Sequence, residues 1–218
     1  SRRQFLATAG AASLSLLSSS NAATFKTVIK KAKIVGKPEE KSLRELKEAG
    51  FDGVELHGAH GYLLAQFLDA ENNTRGDRYG GSFENRTRAL FEIIDGVRAR
   101  TGPDFQLGVR LSPERFGVTL AEARLLAARV LGCGKVDYLD MSLWDCFKQP
   151  EEAEFHGRPL IDWFAELPRG TTRLGVAGKI MDAATAQRCL EHGADFVLIG
   201  RGAMLHHDFA RRALSDAG

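Results

Sequence analysis

Apolar positions along the 218-residue chain follow two rhythms. In the first, short apolar runs are bounded by Gly, Asp or Ser, the mark of strands in a buried sheet. These are FDGVEL (51–56), FQLGVRLS (105–112), VDYLDMS (136–142), LGVAGKI (174–180) and DFVLIGR (195–201). In the second, apolar residues recur at helical spacing. SLRELKEAG (42–50) opens on a serine cap and ends on glycine, and the stretch 84–101 aligns Leu90, Ile93, Ile94 and Val97. TLAEARLLAARVLG (119–132), IDWFAEL (161–167) and AATAQRCLEHG (183–193) continue the series. TFKTVIKKAKIV (24–35) reads as extended, though its lysines suit a central strand poorly.

Strand-then-helix alternation predicts an α/β fold with a parallel sheet, either a barrel or a doubly wound sheet. Polar residues recur where the strands finish: His57, Arg110, Ser142, Gly178-Lys179 and Gly200-Arg201. A (β/α) barrel gathers its chemistry at that end of every strand. A doubly wound nucleotide-binding sheet usually carries a GxGxxG turn, which this chain lacks. The pattern favours a (β/α) TIM barrel.

Composition narrows the function. Hydrophobic content of 44% and charged content of 27% suit one globular domain. A net charge of +2 gives no reason to expect nucleic acid as a partner, and no run is long enough for stable membrane insertion. Cys133, Cys146 and Cys189 stand apart without a CxxC pair, which argues against a zinc or disulfide framework and suits small buried side chains. No metal ligand set is expected. The first 23 residues pair Arg2-Arg3 with a weakly apolar Ala/Leu/Ser run that ends at Ala22-Ala23. They resemble a twin-arginine export signal, here without a start methionine. The expectation is a 1–23 signal and a 24–218 domain, exported to the periplasm by that route or otherwise cytoplasmic.

The chemistry concentrates in ELHGAHGYLLAQFL (55–68), where two histidines and a tyrosine follow a strand directly. With NNTRGDRYGGSFENRTR (72–88), GVRLSP (108–113) and the pair VAGK and IGRGAM (199–204), this stretch resembles the Old Yellow Enzyme family of FMN-dependent ene reductases. The resemblance covers residues 51 to about 215 and implies hydride transfer from NAD(P)H, through FMN, to the activated C=C bond of an enone-type substrate. It places the donors to the substrate carbonyl on His57 and His60, and the proton donor on Tyr62. The arginine beside the flavin pyrimidine falls on Arg110, and the phosphate loops fall on Gly178-Lys179 and Gly200-Arg201. These residue types suit those roles. Imidazole N–H groups stabilise developing oxygen charge, and a phenol keeps its proton at neutral pH. Glycine beside a cation lets backbone N–H groups and charge approach a phosphate together. The run 72–88, with its Gly80-Gly81 turn and interleaved charges, predicts an ordered, self-paired loop over the site.

The family barrel has eight strands and about 250 residues, whereas this sequence offers five family-like strands, which read as the fourth to eighth. An incomplete barrel is expected, with unpaired strand edges that favour a homo-oligomer. Residues 1–50 instead resemble the start of secreted sugar-phosphate isomerase/epimerase-like barrels. Two alternative functions follow: a non-catalytic half-barrel that keeps a phosphate or FMN site, and a metal-dependent sugar isomerase.

Overall fold

The computed structural model describes residues 48–215, together with strands β1 (Phe5–Thr8) and β2 (Ser13–Leu17). The segment 24–35 and most of the helix expected at 42–50 lie outside the described residues, as does most of the expected signal.

Five parallel strands form the body of the sheet: β3 (Gly53–Gly58), β4 (Gln106–Leu111), β5 (Tyr138–Trp144), β6 (Arg173–Gly178) and β7 (Phe196–Ile199). They lie side by side in chain order. The hairpin β1–β2 continues the sheet antiparallel to β7. Two open edges were expected. Instead β2 supplies partners to the backbone groups of β7, which a sheet edge would leave unpaired. Among the described residues the outer edge of β3 has no neighbouring strand.

Helices α1 (Leu63–Leu68), α2 (Phe83–Thr101), α3 (Leu120–Gly132), α4 (Asp162–Ala165) and α5 (Ala183–Glu191) fill the crossovers. Helices α6 (Arg201–Leu205) and α7 (Phe209–Ser215) follow β7. The longer ones begin on side-chain caps: Ser82, Thr119 and Asp182 accept from the N–H groups of Asn85, Glu122 and Thr185 at 3.3, 3.2 and 2.7 Å. In α2, Leu90, Ile94 and Val97 are buried on one stripe, while Ile93 packs at its margin.

The two faces of the sheet differ more than the apolar runs suggest. Val54 and Leu56, Leu107 and Val109, Leu139 and Met141, Leu174 and Val176, and Val197 and Ile199 all face the helices and are buried. Each such side chain contributes about 1.5–3 kcal/mol through burial. Alternate residues on the opposite face include Glu55, His57, Arg110, Tyr138, Asp140 and Ser142. A strand alternates its side chains, so the apolar face fixes the register that presents these polar groups together.

The run 72–88 is ordered and self-paired, as expected. Asn73 Nδ2 donates to the carbonyls of Phe67 and Tyr79 at 2.7 and 2.8 Å, and Tyr79 Oη lies 2.9 Å from Glu92 Oε2. Ion pairs join Arg75 to Asp77 and Arg78 to Glu92. Buried Arg86 ties the run to the body, donating to the Leu68 carbonyl at 2.5 Å and to both carboxylate oxygens of Glu122 at 2.5 and 3.1 Å.

Candidate active site

Backbone strain is concentrated at one end of the sheet. Among the described residues, the non-glycine ones with left-handed backbone are His60, Glu114, Phe116, Trp144 and Lys179, with φ between 48° and 65°. All of them sit at or just beyond the C-terminal ends of β3, β4, β5 and β6. Each such conformation costs about 1–3 kcal/mol and persists only where its surroundings enforce it. One enforcing contact is the His60 N–H, which donates to Ser112 Oγ at 3.2 Å and ties the β3 loop to the β4 loop.

At this end lies a cleft of about 260 Å³, lined by His60, Arg110, Gly178, Lys179, Gly200 and Arg201 together with Ser142, Trp144, Ile180, Met181 and Met204. Six of the eight residues singled out from the sequence therefore converge on one space. The other two stand beside it: the His57 ring lies 5.3 Å from that of His60 and 5.2 Å from that of Tyr62, centre to centre. Tyr62 is 63% exposed, and His57 Nδ1 is buried with no hydrogen-bond partner among the described residues. The run 72–88 contributes no residue to the lining, so its expected position over the site is not seen.

Electrostatics sets the form of these groups. Burial is the largest influence lowering the His60 pKa, to about 4, with Arg110 and His57 adding to it. Burial and then Arg110 lower that of His57. Both imidazoles are thus neutral at pH 7, each with a single N–H to donate. Arg110 stands level with His57 on one side and Asp140 on the other. Its Nε donates to Ser142 Oγ at 2.8 Å and lies 2.9 Å from Asp140 Oδ2.

The two loops expected to hold phosphate differ. After β6, Gly178 packs so tightly that a Cβ there would stand 2.9 and 3.0 Å from the backbone nitrogens of Asp145 and Cys146. Lys179 then turns its Nζ to Asp145 Oδ2 at 2.9 Å. After β7, a Cβ at Gly200 would meet nothing within 4 Å, and Arg201 has no ion-pair partner among the described residues. Arg201 thus offers a free cation, whereas Lys179 is already paired.

Sequence reasoning passed over Trp144 and the methionines. A register shift between Ser142 and Trp144 interrupts the β5–β6 ladder, and such irregularities re-aim side chains. Trp144 is 55% exposed, with the Arg115 guanidinium 4.5 Å from its ring centre. The signal available was the alternation Tyr138, Asp140, Ser142, which places a polar series on one face of β5.

Known proteins are similar to this chain in sequence and fold. A profile of the NADH:flavin oxidoreductase / NADH oxidase family matches residues 40–217. The chain is 37% identical over 176 residues to a probable flavin mononucleotide-dependent alkene reductase of Leishmania infantum, covering 78% of this chain and 45% of that protein. It is 33% identical to an NADH oxidase of Thermoanaerobacter brockii, covering 77% of this chain and 27% of that one. Among solved structures it is similar to morphinone reductase in complex with tetrahydroNAD, with a TM-score of 0.64, 32% identity, and coverage of 82% and 47% of the two chains. The chain spans less than half the length of each of these relatives. Its five parallel strands are thus part of a (β/α) barrel, and the chain belongs to the NADH:flavin oxidoreductase / NADH oxidase family, the Old Yellow Enzyme group that its motifs resemble.

Proposed function

We propose that the chain binds FMN in the cleft at the strand ends and, as an ene reductase, passes hydride from NAD(P)H to the activated C=C bond of an enone-type substrate. The observation that carries this reading is convergence. A free cation at Arg201, the backbone around Gly178 and Gly200, and Arg110 all border one cleft that has paired neutral imidazoles beside it. These residues fit a phosphorylated flavin. Uncrowded Gly200 next to unpaired Arg201 suits a dianionic phosphate, and Arg110 suits the electron-rich pyrimidine.

The chemistry the flavin supplies when bound is hydride acceptance from NAD(P)H and hydride donation to the alkene. The side chains do the rest. His57 and His60 each donate one N–H to the substrate oxygen and stabilise the charge that develops there. Tyr62 delivers a proton to the carbon that does not receive hydride. Purified protein should be yellow and should release FMN on denaturation, and it should reduce an enone such as 2-cyclohexenone with NADH or NADPH. A colourless protein that gains no absorbance from added FMN would refute the reading.

A second reading, a non-catalytic FMN- or phosphate-binding half-barrel, is favoured by the exposure of Tyr62 and by a β3 edge that has no neighbouring strand among the described residues. It predicts yellow protein without turnover. The sugar-isomerase reading gains no support, because among the described residues no group of three His, Cys, Asp or Glu side chains is placed to hold a metal ion. We also infer self-association through the β3 edge, which sedimentation tests. Arg2-Arg3 ahead of an apolar run supports export, which amino-terminal sequencing of the periplasmic fraction tests. Among the described residues no helix is long and apolar enough to cross a membrane.

A further inference from the structure

Beneath the cleft, side chains that the proposed reaction does not use meet on the polar face of the sheet. Glu55 on β3 and Tyr138 on β5 are both level with Gly108, on the strand between them. A Cβ at position 108 would stand 2.1 Å from Tyr138 Cζ and 2.4 Å from its Oη. Glycine therefore lets the phenol lie across β4 towards Glu55, whose carboxyl it helps to hold down against burial. Two residues further along, His57, Arg110 and Asp140 stand level. Asp140 is fully buried. The nearest guanidinium N–H is directed at Ser142 Oγ, and neither Asp140 oxygen has a hydrogen-bond partner among the described residues. Two carboxyl groups thus share one guanidinium.

That ratio decides the charge. One cation offsets one carboxylate, and a second buried carboxylate would be uncompensated. Burial raises Asp140 to about 8, with Arg110 pulling it down and Glu55 pushing it up, and burial raises Glu55 as well. Among the described residues no other cation adjoins the pair: Arg173 on β6, level with Tyr138, is paired with Asp195. Burial keeps His57 on β3 neutral, and Tyr138 on β5 protonated. The Cys146 thiol, raised by its contact with Cys189 and by burial, stays neutral too. The adjacent β6 offers Gly175 level with Asp140 and no ionisable group there.

We propose that Asp140 is a positioning residue and that the Glu55–Asp140 pair holds one proton beneath Arg110 at neutral pH, so that one carboxylate offsets the guanidinium, fixes it in place and leaves no net negative charge to repel an anion in the cleft. Only the identity of that anion rests on the flavin reading. Loss of the proton sets two carboxylates against one guanidinium and leaves a net negative charge beneath the cleft, so anion binding weakens as pH rises through the Asp140 range.

The test uses the full chain labelled with ¹³C at aspartate carboxyls, with D140N and E55Q as variants. One carboxyl signal should titrate between about pH 7 and 9, vanish in D140N, and move to lower pH in E55Q, which loses the repelling charge. FMN titrated by fluorescence should bind the wild type roughly 3–10-fold more weakly at pH 9 than at pH 7, and D140N with a flat profile. An Asp140 signal that titrates below pH 5, or a D140N profile that parallels the wild type, overturns the proposal. The titrating signal in a protein that binds no FMN at any pH supports the proton-holding pair and overturns the flavin reading instead.

Discussion

Arg201 and Lys179 border the same cleft, yet their substitution should have different consequences. Arg201 has no ionic partner among the described residues, whereas Lys179 Nζ already lies 2.9 Å from Asp145 Oδ2. A charge-assisted contact from a free guanidinium to phosphate is worth about 1.5–3 kcal/mol. Arg201→Ala should therefore raise the FMN dissociation constant by roughly 10- to 150-fold, at about 1.4 kcal/mol per factor of ten. The lysine is more than half exposed, so its pairing with Asp145 is weakened by solvent. Asp145→Asn removes the charge that the ammonium faces, and FMN should then bind about two- to five-fold more tightly, a modest gain because the lost pair was a screened one. Quenching of FMN fluorescence, measured at 50 and 300 mM salt, checks both effects, and the salt dependence should be shallower for Arg201→Ala. Unchanged affinity in Arg201→Ala, or weaker binding in Asp145→Asn, would refute the division of labour between the two loops.

Tyr62→Phe should leave flavin reduction by NAD(P)H nearly unchanged and slow enone reduction by roughly 10²–10⁴-fold, the usual contribution of a positioned acid. Stopped-flow measurement of the two half-reactions separates these outcomes, and equal slowing of both would make the tyrosine structural. Arg86→Ala should destabilise the fold by about 3–5 kcal/mol, since it leaves Glu122 and the Leu68 carbonyl without their shared donor; urea denaturation reads this directly. His60 has a folded pKa lowered to about 4 from 6.5, so the unfolded chain binds more protons between those values. Stability should be full above about pH 6.5 and fall as pH drops towards 4, by only a fraction of the limit of about 1.4 kcal/mol per unit, because the half-buried ring is screened by solvent. Denaturation midpoints for wild type and His60→Ala at pH 4.5, 5.5 and 7 check the sign, and the variant should lose part of the slope.

The sequence discloses elements in proportion to their length and regularity. Helix α2 spans 19 residues and displays its stripe through Leu90, Ile94 and Val97, so its period is unmistakable. Helices α1 and α6, of six and five residues, are too short to establish a period, and α1 begins where the left-handed backbone of His60 and Gly61 turns the chain. The site was legible where chemistry follows a strand directly, as at His57, Arg110 and Gly200-Arg201. It was not legible where function depends on the register between strands. Nothing in the linear order relates Glu55 to Tyr138, or shows that the glycine at 108 is the gap through which they meet. The pairing of Lys179 with Asp145 joins residues 34 apart and depends on the tight contact at Gly178.

The split between the two faces of the sheet has an evolutionary consequence. Residues such as Leu107, Val109, Leu139 and Met141 anchor the strands to the helices, and truncating any of them would cost about 2–5 kcal/mol. The residues between them, Gly108, Arg110, Asp140 and Ser142, point the other way. Selection can therefore act on alternate codons of one strand almost independently. One set is held by the demand to fold, and the other by whatever the cleft has to bind. A lineage that exchanges Ser142 or Trp144 changes the lining of the cleft and leaves the apolar layer intact, so reactivity can diversify on a scaffold that does not have to be reinvented each time.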